Sequence, residues 1–267
     1  MFKKFLIVAS KEDKAGINIT TQLSKFGDFN FYLVERDILH NENLDLARFQ
    51  EYDFIIFASK HASESKEKTI SIHAPGNWKE ARAGGMDKNV CVSSALFNKF
   101  LFKKLEEKIK EGLIQDKYKL TLECTHHGPF IQKPCLFVEI GATDFEWGDK
   151  SAGFIVARAI KEAIETFTEN PYNEIAVGVG GPHYCPGFNK IQLDSNVAIS
   201  HVIPSYAYPF TAEMILDARK KTVEDVDFFV IDWKGLKAEE RDLLVKILDE
   251  NYMQWKKTGD IKKGKAE

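Results

Sequence analysis

Short apolar runs alternate along this chain with stretches whose apolar residues recur every three or four positions. That alternation predicts strands interleaved with helices, an α/β layered fold. Residues 4–10, 29–34 and 53–58 read as buried strands, and 13–26 as a helix with Ala15, Ile19, Leu23 and Phe26 on one side. Residues 64–92 are polar and rich in Gly, His and Asn, which predicts a long functional loop. A helix is expected over 94–112, with Phe97, Leu101, Leu105 and Ile109 as its stripe and Gly112 as its C-terminal cap. Strands at 118–125 and 134–140 and a helix at 149–168 follow. The remaining expectations are strands at 174–179, 199–204 and 227–231 and helices at 212–220 and 237–251. The fold class is therefore a layered mixed sheet flanked by helices, one domain over 1–255, with a Lys-rich, frayed tail at 256–267.

Composition narrows this picture without changing it. The chain has 267 residues, 44% apolar and 29% charged, which excludes global disorder and leaves room for a core without disulfides. No apolar run approaches the ~20 residues of a membrane span. Residues 5–9 are too short for a signal peptide and are followed at once by Lys11-Glu12-Asp13-Lys14, so they read as the first strand. A net charge of −3 excludes a generally basic nucleic-acid coat but not a local basic patch. The four cysteines form no C-x-x-C pair, which fits a reducing cytoplasm.

The chain lacks a phosphate loop, H-E-x-x-H and a G-x-S-x-G elbow. Its chemistry lies in the histidines. Of seven, five fall at or just after expected strand ends or in the polar loop: His61, His73, His126, His127 and His183. Ligands in open α/β sheets bind where strands end, and imidazole moves protons or ligates metal near neutral pH. Alternation along 123–127 sets Glu123, Thr125 and His127 on one face and Cys124 and His126 on the other, unless Gly128-Pro129 has already broken the strand. Gly180 and Gly181 can aim N–H groups at an anion, although no clear helix follows them, and Pro182 and Pro186 stiffen the path around His183 and Tyr184. Glu139 places a carboxylate in an apolar strand, where it must be paired or ligating. Cys124 and Cys185, beside histidines, read as small buried residues rather than thiolate nucleophiles.

Taken together, Ser59-Lys60-His61-Ala62-Ser63, His73-Ala74-Pro75-Gly76-Asn77, Cys124-Thr125-His126-His127-Gly128-Pro129, Val138-Glu139-Ile140-Gly141, Gly180-Gly181-Pro182-His183-Tyr184 and His201-Val202-Ile203-Pro204-Ser205-Tyr206-Ala207 resemble the archaeal and plant type of D-aminoacyl-tRNA deacylase. The resemblance implies cleavage of the ester between a D-amino acid and the terminal ribose of tRNA, a role in translation quality control. It also implies a zinc requirement and a fold related in outline to nucleoside phosphorylases and a peptidyl-tRNA hydrolase. Residue roles come from chemistry instead. Hydrolysis by a positioned water makes His127 or His183 the expected base, with His126 and Glu139 beside it. His61, His73, Asn77, Gly128, Gly180, Gly181 and Tyr184 are the expected substrate contacts. If zinc is held, His61, His127, His183 and Glu139 are its expected ligands. Rigid turns at 128–129 and 181–182 are expected to select the D-form. The tRNA would meet Lys99, Lys103, Lys104, Lys108 and Lys110, or Lys256, Lys257, Lys262, Lys263 and Lys265. A monomer is expected. The alternative is a zinc-dependent hydrolase of a small amide or ester that needs no tRNA; an RNA-binding module without catalysis fits the histidine density poorly.

Overall fold

A computed structural model describes residues 2–41, 49–171 and 173–264. Two sheets form its frame. The first has strand order β2-β1-β3-β8-β4-β7. Its strands are β1 (Phe5–Ser10), β2 (Phe31–Val34), β3 (Phe54–Ala62), β4 (Thr69–His73), β7 (Lys119–Leu122) and β8 (Cys135–Ala142). β1, β2, β3 and β8 are parallel, and β4 runs antiparallel to β8 but parallel to β7. The second sheet is wholly parallel, in order β10-β9-β11-β12. It contains β9 (Glu174–Val179), β10 (Val197–Ile203), β11 (Phe228–Ile231) and β12 (Trp255–Lys257). A small hairpin of β5 (Gly76–Asn77) and β6 (Asn89–Val90) stands apart.

The first sheet is covered on both faces, which is why β1 and β3 read as continuous apolar runs. On one face, Phe5, Ile7, Phe54 and Ile56 pack under helices α1 (Lys14–Leu23), α2 (Ala95–Glu111) and, after the short α3 (Asp144–Trp147), α4 (Lys150–Thr166). On the other, Leu6, Val8, Ile55 and Phe57 meet Ile38, Cys91 and Ile131 from connecting segments. The helix ends follow their sequence signals. Asp13, Ser94 and Asp149 accept hydrogen bonds from the first-turn amides of α1, α2 and α4. α2 also packs against β10, and one buried cluster runs from Phe5 through Phe97 to Val197 and Val230, so both sheets share a core. The last helices are α5 (Pro186–Asp194), α6 (Ala212–Lys220) and α7 (Ala238–Glu250).

Three expectations are corrected. The polar stretch 64–92 is not a loop throughout, because β4 is fully buried within it. A helix does follow the Gly180-Gly181 turn: α5 begins at Pro186, whose fixed φ suits the first helical position. The chain beyond 255 is not frayed from its start, since β12 pairs with β11 through Lys256 and Lys257. Lys265 lies outside the described residues.

A candidate active site of histidines and glutamates

The alternation of β3, β8 and β4 builds the floor of the site. Three cross-strand rows share one face of the sheet. Phe57, Phe137 and His73 form the first, Ser59, Glu139 and Ser71 the second, and His61, Gly141 and Thr69 the third. The neighbouring positions Ala58, Val138, Ile140, Ile70 and Ile72 turn the other way into the core under the helices. The face thus begins with two phenylalanines beside His73 and is polar at Glu139 and His61 after them. His73 lies flat on Phe137, with ring centroids 5.1 Å apart and planes 2° apart. A Cβ at Gly141 would stand 2.9 Å from the His61 ring, so only glycine leaves room there.

β7 ends at Leu122, and the chain then crosses to the second sheet. Cys124 N–H donates to the His183 carbonyl at 2.9 Å and Thr125 N–H to the Val202 carbonyl at 3.0 Å. With the strand ended, both His126 and His127 reach the floor, against the alternation expected for an intact strand. His127 takes a left-handed φ of 43°, and Cys185, just past His183, one of 46°. Such backbone is costly for residues with a Cβ and clusters where function over-determines it.

All five histidines singled out in the sequence converge. Ring centroids lie 4.1 Å apart for His73 and His126, 4.3 Å for His126 and His127, 4.5 Å for His126 and His183, and 6.2 Å for His61 and His183. The other two stay apart: His40 is exposed beside Asp37, and His201 is buried between Thr125 and the Lys221 carbonyl.

Two carboxylates divide the cluster into two electrostatic parts. Glu139 and Glu123 are both buried, and Glu123 is completely so. His61 Nδ1 stands 3.3 Å from Glu123 and 3.5 Å from Glu139, while Nε2 lies 2.9 Å from the Tyr184 hydroxyl. That hydroxyl donates onward to Ser63 Oγ, so it accepts from His61. His183 Nε2 lies 3.1 Å from Glu123. Burial alone would push both imidazoles down. The carboxylates of Glu139 and Glu123 lift His61 to about 9, and the Cys124 sulfur and Glu123 lift His183 to about 10. Both are therefore imidazolium ions at neutral pH. Burial would raise the Glu139 carboxyl, but His61 and His73 more than offset it and hold it below the usual range.

In the second part, His126 and His127 are neutral. Burial first, and the neighbouring rings after it, push His126 far down and His127 down to about 4. The Nδ1 atoms of His73, His126 and His127 face the carbonyls of Ala74, Cys124 and Gly128 at 3.2, 2.8 and 2.7 Å. A carbonyl only accepts, so each Nδ1 carries a hydrogen, and the neutral His126 and His127 keep a bare lone pair at Nε2. His73 Nε2 is buried without a hydrogen-bond partner. Glu139 faces it at 3.8 Å and faces His127 Nε2 at 3.9 Å.

Three donor groups result, each with its ligand atoms within 4.8 Å of one another: His73, His126 and His127; Cys124, His126 and His183; and His61, Glu123 and Glu139. None of them contains His61, His127, His183 and Glu139 together, the ligand set expected from sequence.

The other expected contacts fall unevenly. Tyr184 joins the cluster through His61. Asn77 donates to the Gly84 carbonyl at 2.9 Å, and Gly128 packs against the Gly84–Gly85 turn, so both build a wall beside His127. Gly180 and Gly181 back onto Leu236 and Asp232, and Gly180 N–H is spent on the Ile203 carbonyl, so this turn shapes the path to His183 and does not present that amide to an anion. Glu123 was missed as a site residue. The argument that singled out Glu139, a carboxylate in an apolar strand, applies equally to it. Tyr206 was missed too: its hydroxyl lies 2.9 Å from Cys124 Sγ and 3.5 Å from His183 Nδ1, with its ring exposed.

A family model described as D-aminoacyl-tRNA deacylase matches residues 48–256. A D-aminoacyl-tRNA deacylase of Thermococcus onnurineus is 31% identical over 92% of this chain and 96% of its own, and one of Methanocaldococcus jannaschii is 32% identical over 95% and 99%. A crystal structure of a conserved protein of unknown function superposes with a TM-score of 0.88 at 28% identity, covering 97% of this chain and 98% of the other. The convergence of the histidine motifs and these matches together make the chain a member of the D-aminoacyl-tRNA deacylase family.

Proposed function

We propose that this chain hydrolyses the ester of D-aminoacyl-tRNA, releasing the D-amino acid and the tRNA, and that the histidine–glutamate cluster is its catalytic centre. The observation that carries the assignment is the convergence of three imidazoles on buried carboxylates: the Nε2 atoms of His73 and His127 face Glu139 at 3.8 and 3.9 Å, and that of His126 faces Glu123 at 3.6 Å. Acceptors turned toward one another repel unless a cation lies among them. The donors fit zinc: three imidazoles, each with its Nδ1 tied to a backbone carbonyl, as ligating histidines usually are. We therefore assign His73, His126 and His127 as the residues that would hold it. An ion held there would supply a Lewis acid for a carbonyl and a more acidic water.

The remaining work falls to side chains. Glu123 keeps His61 and His183 protonated. His183 is the more open of the two, and its Nδ1 makes only long contacts at 3.5 Å to Cys124 and Tyr206. It is free to turn its N–H toward the oxygen on which negative charge develops, or toward the departing ribose oxygen. A group that already holds its proton is not a general base, so the base role considered for His183 gives way to an acid role. His61, locked between two carboxylates and Tyr184, holds the charge balance around it.

The test is deacylation of D- and L-tyrosyl-tRNA, with and without chelator, alongside metal analysis of the purified protein and of His73→Ala. D-selective hydrolysis, near-stoichiometric zinc in the wild type and its loss in the variant are expected. A fully active, metal-free wild type would overturn the zinc assignment. Unaltered turnover in both His127→Ala and His183→Ala would overturn the centre itself. The tRNA-independent hydrolase is disfavoured by family membership, and full activity on a free D-aminoacyl ester with none on charged tRNA would restore it.

A further inference from the structure

The described surface holds lysines in two electrical states. Many near the first sheet are neutralised. On α2, Lys104 pairs with Glu107, Lys110 with Glu106, and Lys108 with three glutamates, while Lys99 is buried. Beside the ends of β3 and β8, Lys14, Lys68 and Lys117 pair with Asp144, Glu146 and Asp149. The second state occurs in a groove of about 520 Å³ on the other sheet, between the first turns of α5, the segment after β11 and residues 257–263. Lys190, Lys234, Lys257, Lys262 and Lys263 line it, and among the described residues none of them forms an ion pair. Two aspartates share the groove. Asp260 already accepts the Lys257 amide at 3.0 Å, and Asp194 lies toward Lys99. Lys257 Nζ stands 4.3 Å over the Trp233 ring, which holds one ammonium in place. With five lysines against two aspartates, the groove is a positive channel in a chain whose net charge is negative.

Its position matters as much as its charge. Gly187 lies in the groove, and Tyr184, three residues earlier, contacts His61. Three residues span at most about 10 Å. We infer that this groove seats the sugar–phosphate backbone of the tRNA acceptor end, while the terminal ribose ester reaches the histidines along the 183–187 turn. The inference rests on the histidine cluster being the catalytic centre. An RNA single strand carries a phosphate at every nucleotide and is recognised by such cationic tracks. Of the lysines expected from sequence on α2, Lys104, Lys108 and Lys110 lose this role to their glutamates and Lys99 to burial, while Lys257, Lys262 and Lys263 of the C-terminal segment keep it.

The experiment measures binding of fluorescently labelled, deacylated tRNA by anisotropy across a salt series. Lys234→Glu, Lys262→Glu and Lys263→Glu combined should raise Kd at least tenfold. The slope of log K against log salt should shrink by about 2, since each lost phosphate contact removes roughly 0.7–0.9. Lys104→Ala with Lys110→Ala, equally close to α2's acidic partners, should change Kd less than twofold. A groove variant that binds within twofold of wild type with an unchanged slope overturns the inference, as does a control that weakens binding as much. His127→Ala reports on the catalytic reading alone: kcat should fall with tRNA affinity unchanged, so failure of the centre and failure of the groove are seen separately.

Discussion

Glu123 shows how one buried charge can set the state of its neighbours. It faces His61, His126 and His183 at 3.3, 3.6 and 3.1 Å and is wholly cut off from solvent. Glu123→Gln removes the charge while keeping the shape, so His61 retains one carboxylate partner and His183 none. The expected result is a fall in kcat for D-tyrosyl-tRNA of about 10²-fold, the lower range for loss of a general acid, with Kd for deacylated tRNA unmoved. Near-normal kcat would show that the charge of His183 takes no part. The site residues were legible in sequence where chemistry made them conspicuous: histidines at strand ends, and Glu139 among Val138, Ile140 and Gly141. The electrostatic division was not legible, because it depends on which rings stand beside the carboxylates, and only the folded sheets bring His61 and His183, 62 and 60 residues from Glu123 in sequence, to that residue.

Among the elements, α2 is tied to the second sheet by Lys99. Its ammonium donates to the Gln192 carbonyl at 2.6 Å and the Val197 carbonyl at 3.0 Å, at the end of α5 and the start of β10. Burial, with Lys103 nearby, pushes it down to about 7. The unfolded chain keeps the ordinary value of 10.5, so between pH 7 and 10 the unfolded state binds the extra proton. Stability should rise with pH across that window and level off below pH 7. Urea unfolding should find wild type gaining on the order of 2 kcal/mol on Lys99→Met between pH 7 and 9; parallel pH profiles would show that Lys99 is charged in the fold. Elements with strong periodicity were legible, and β9 and α6 match their expected ends. β4 was hidden because Ser71 and His73, polar residues committed to the site, break the apolar signature of a central strand. α5 was hidden because its start carries a left-handed Cys185 with no capping side chain in place of an ordinary cap.

For the molecule as a whole, the centre lies on a seam. His61, His73 and Glu139 come from the first sheet, and His183 from the turn after β9 in the second. The crossing segment 123–127 is bonded to both. A metal held by His73, His126 and His127 would bind only the folded chain and stabilise it by mass action, roughly 4 kcal/mol at a thousandfold excess over its Kd. In a protein of this size that corresponds to a chelator-induced drop in Tm on the order of 10 °C. His73→Ala should melt lower and respond little to chelator; an equal response in variant and wild type would place the stabilising ion elsewhere. No helix among the described residues is long and apolar enough to cross a membrane. The shared core was only partly foreseeable, since periodicity shows which faces are buried but not that α2 serves both sheets.

The seam also governs when the protein becomes able to act. A ribosome building this chain makes His61, His73, His126 and His127 early, yet the loop that delivers His183 emerges only after Val179, and it finds its place only when the second sheet docks. A half-synthesised copy, surrounded by charged tRNAs awaiting use, therefore carries no complete blade.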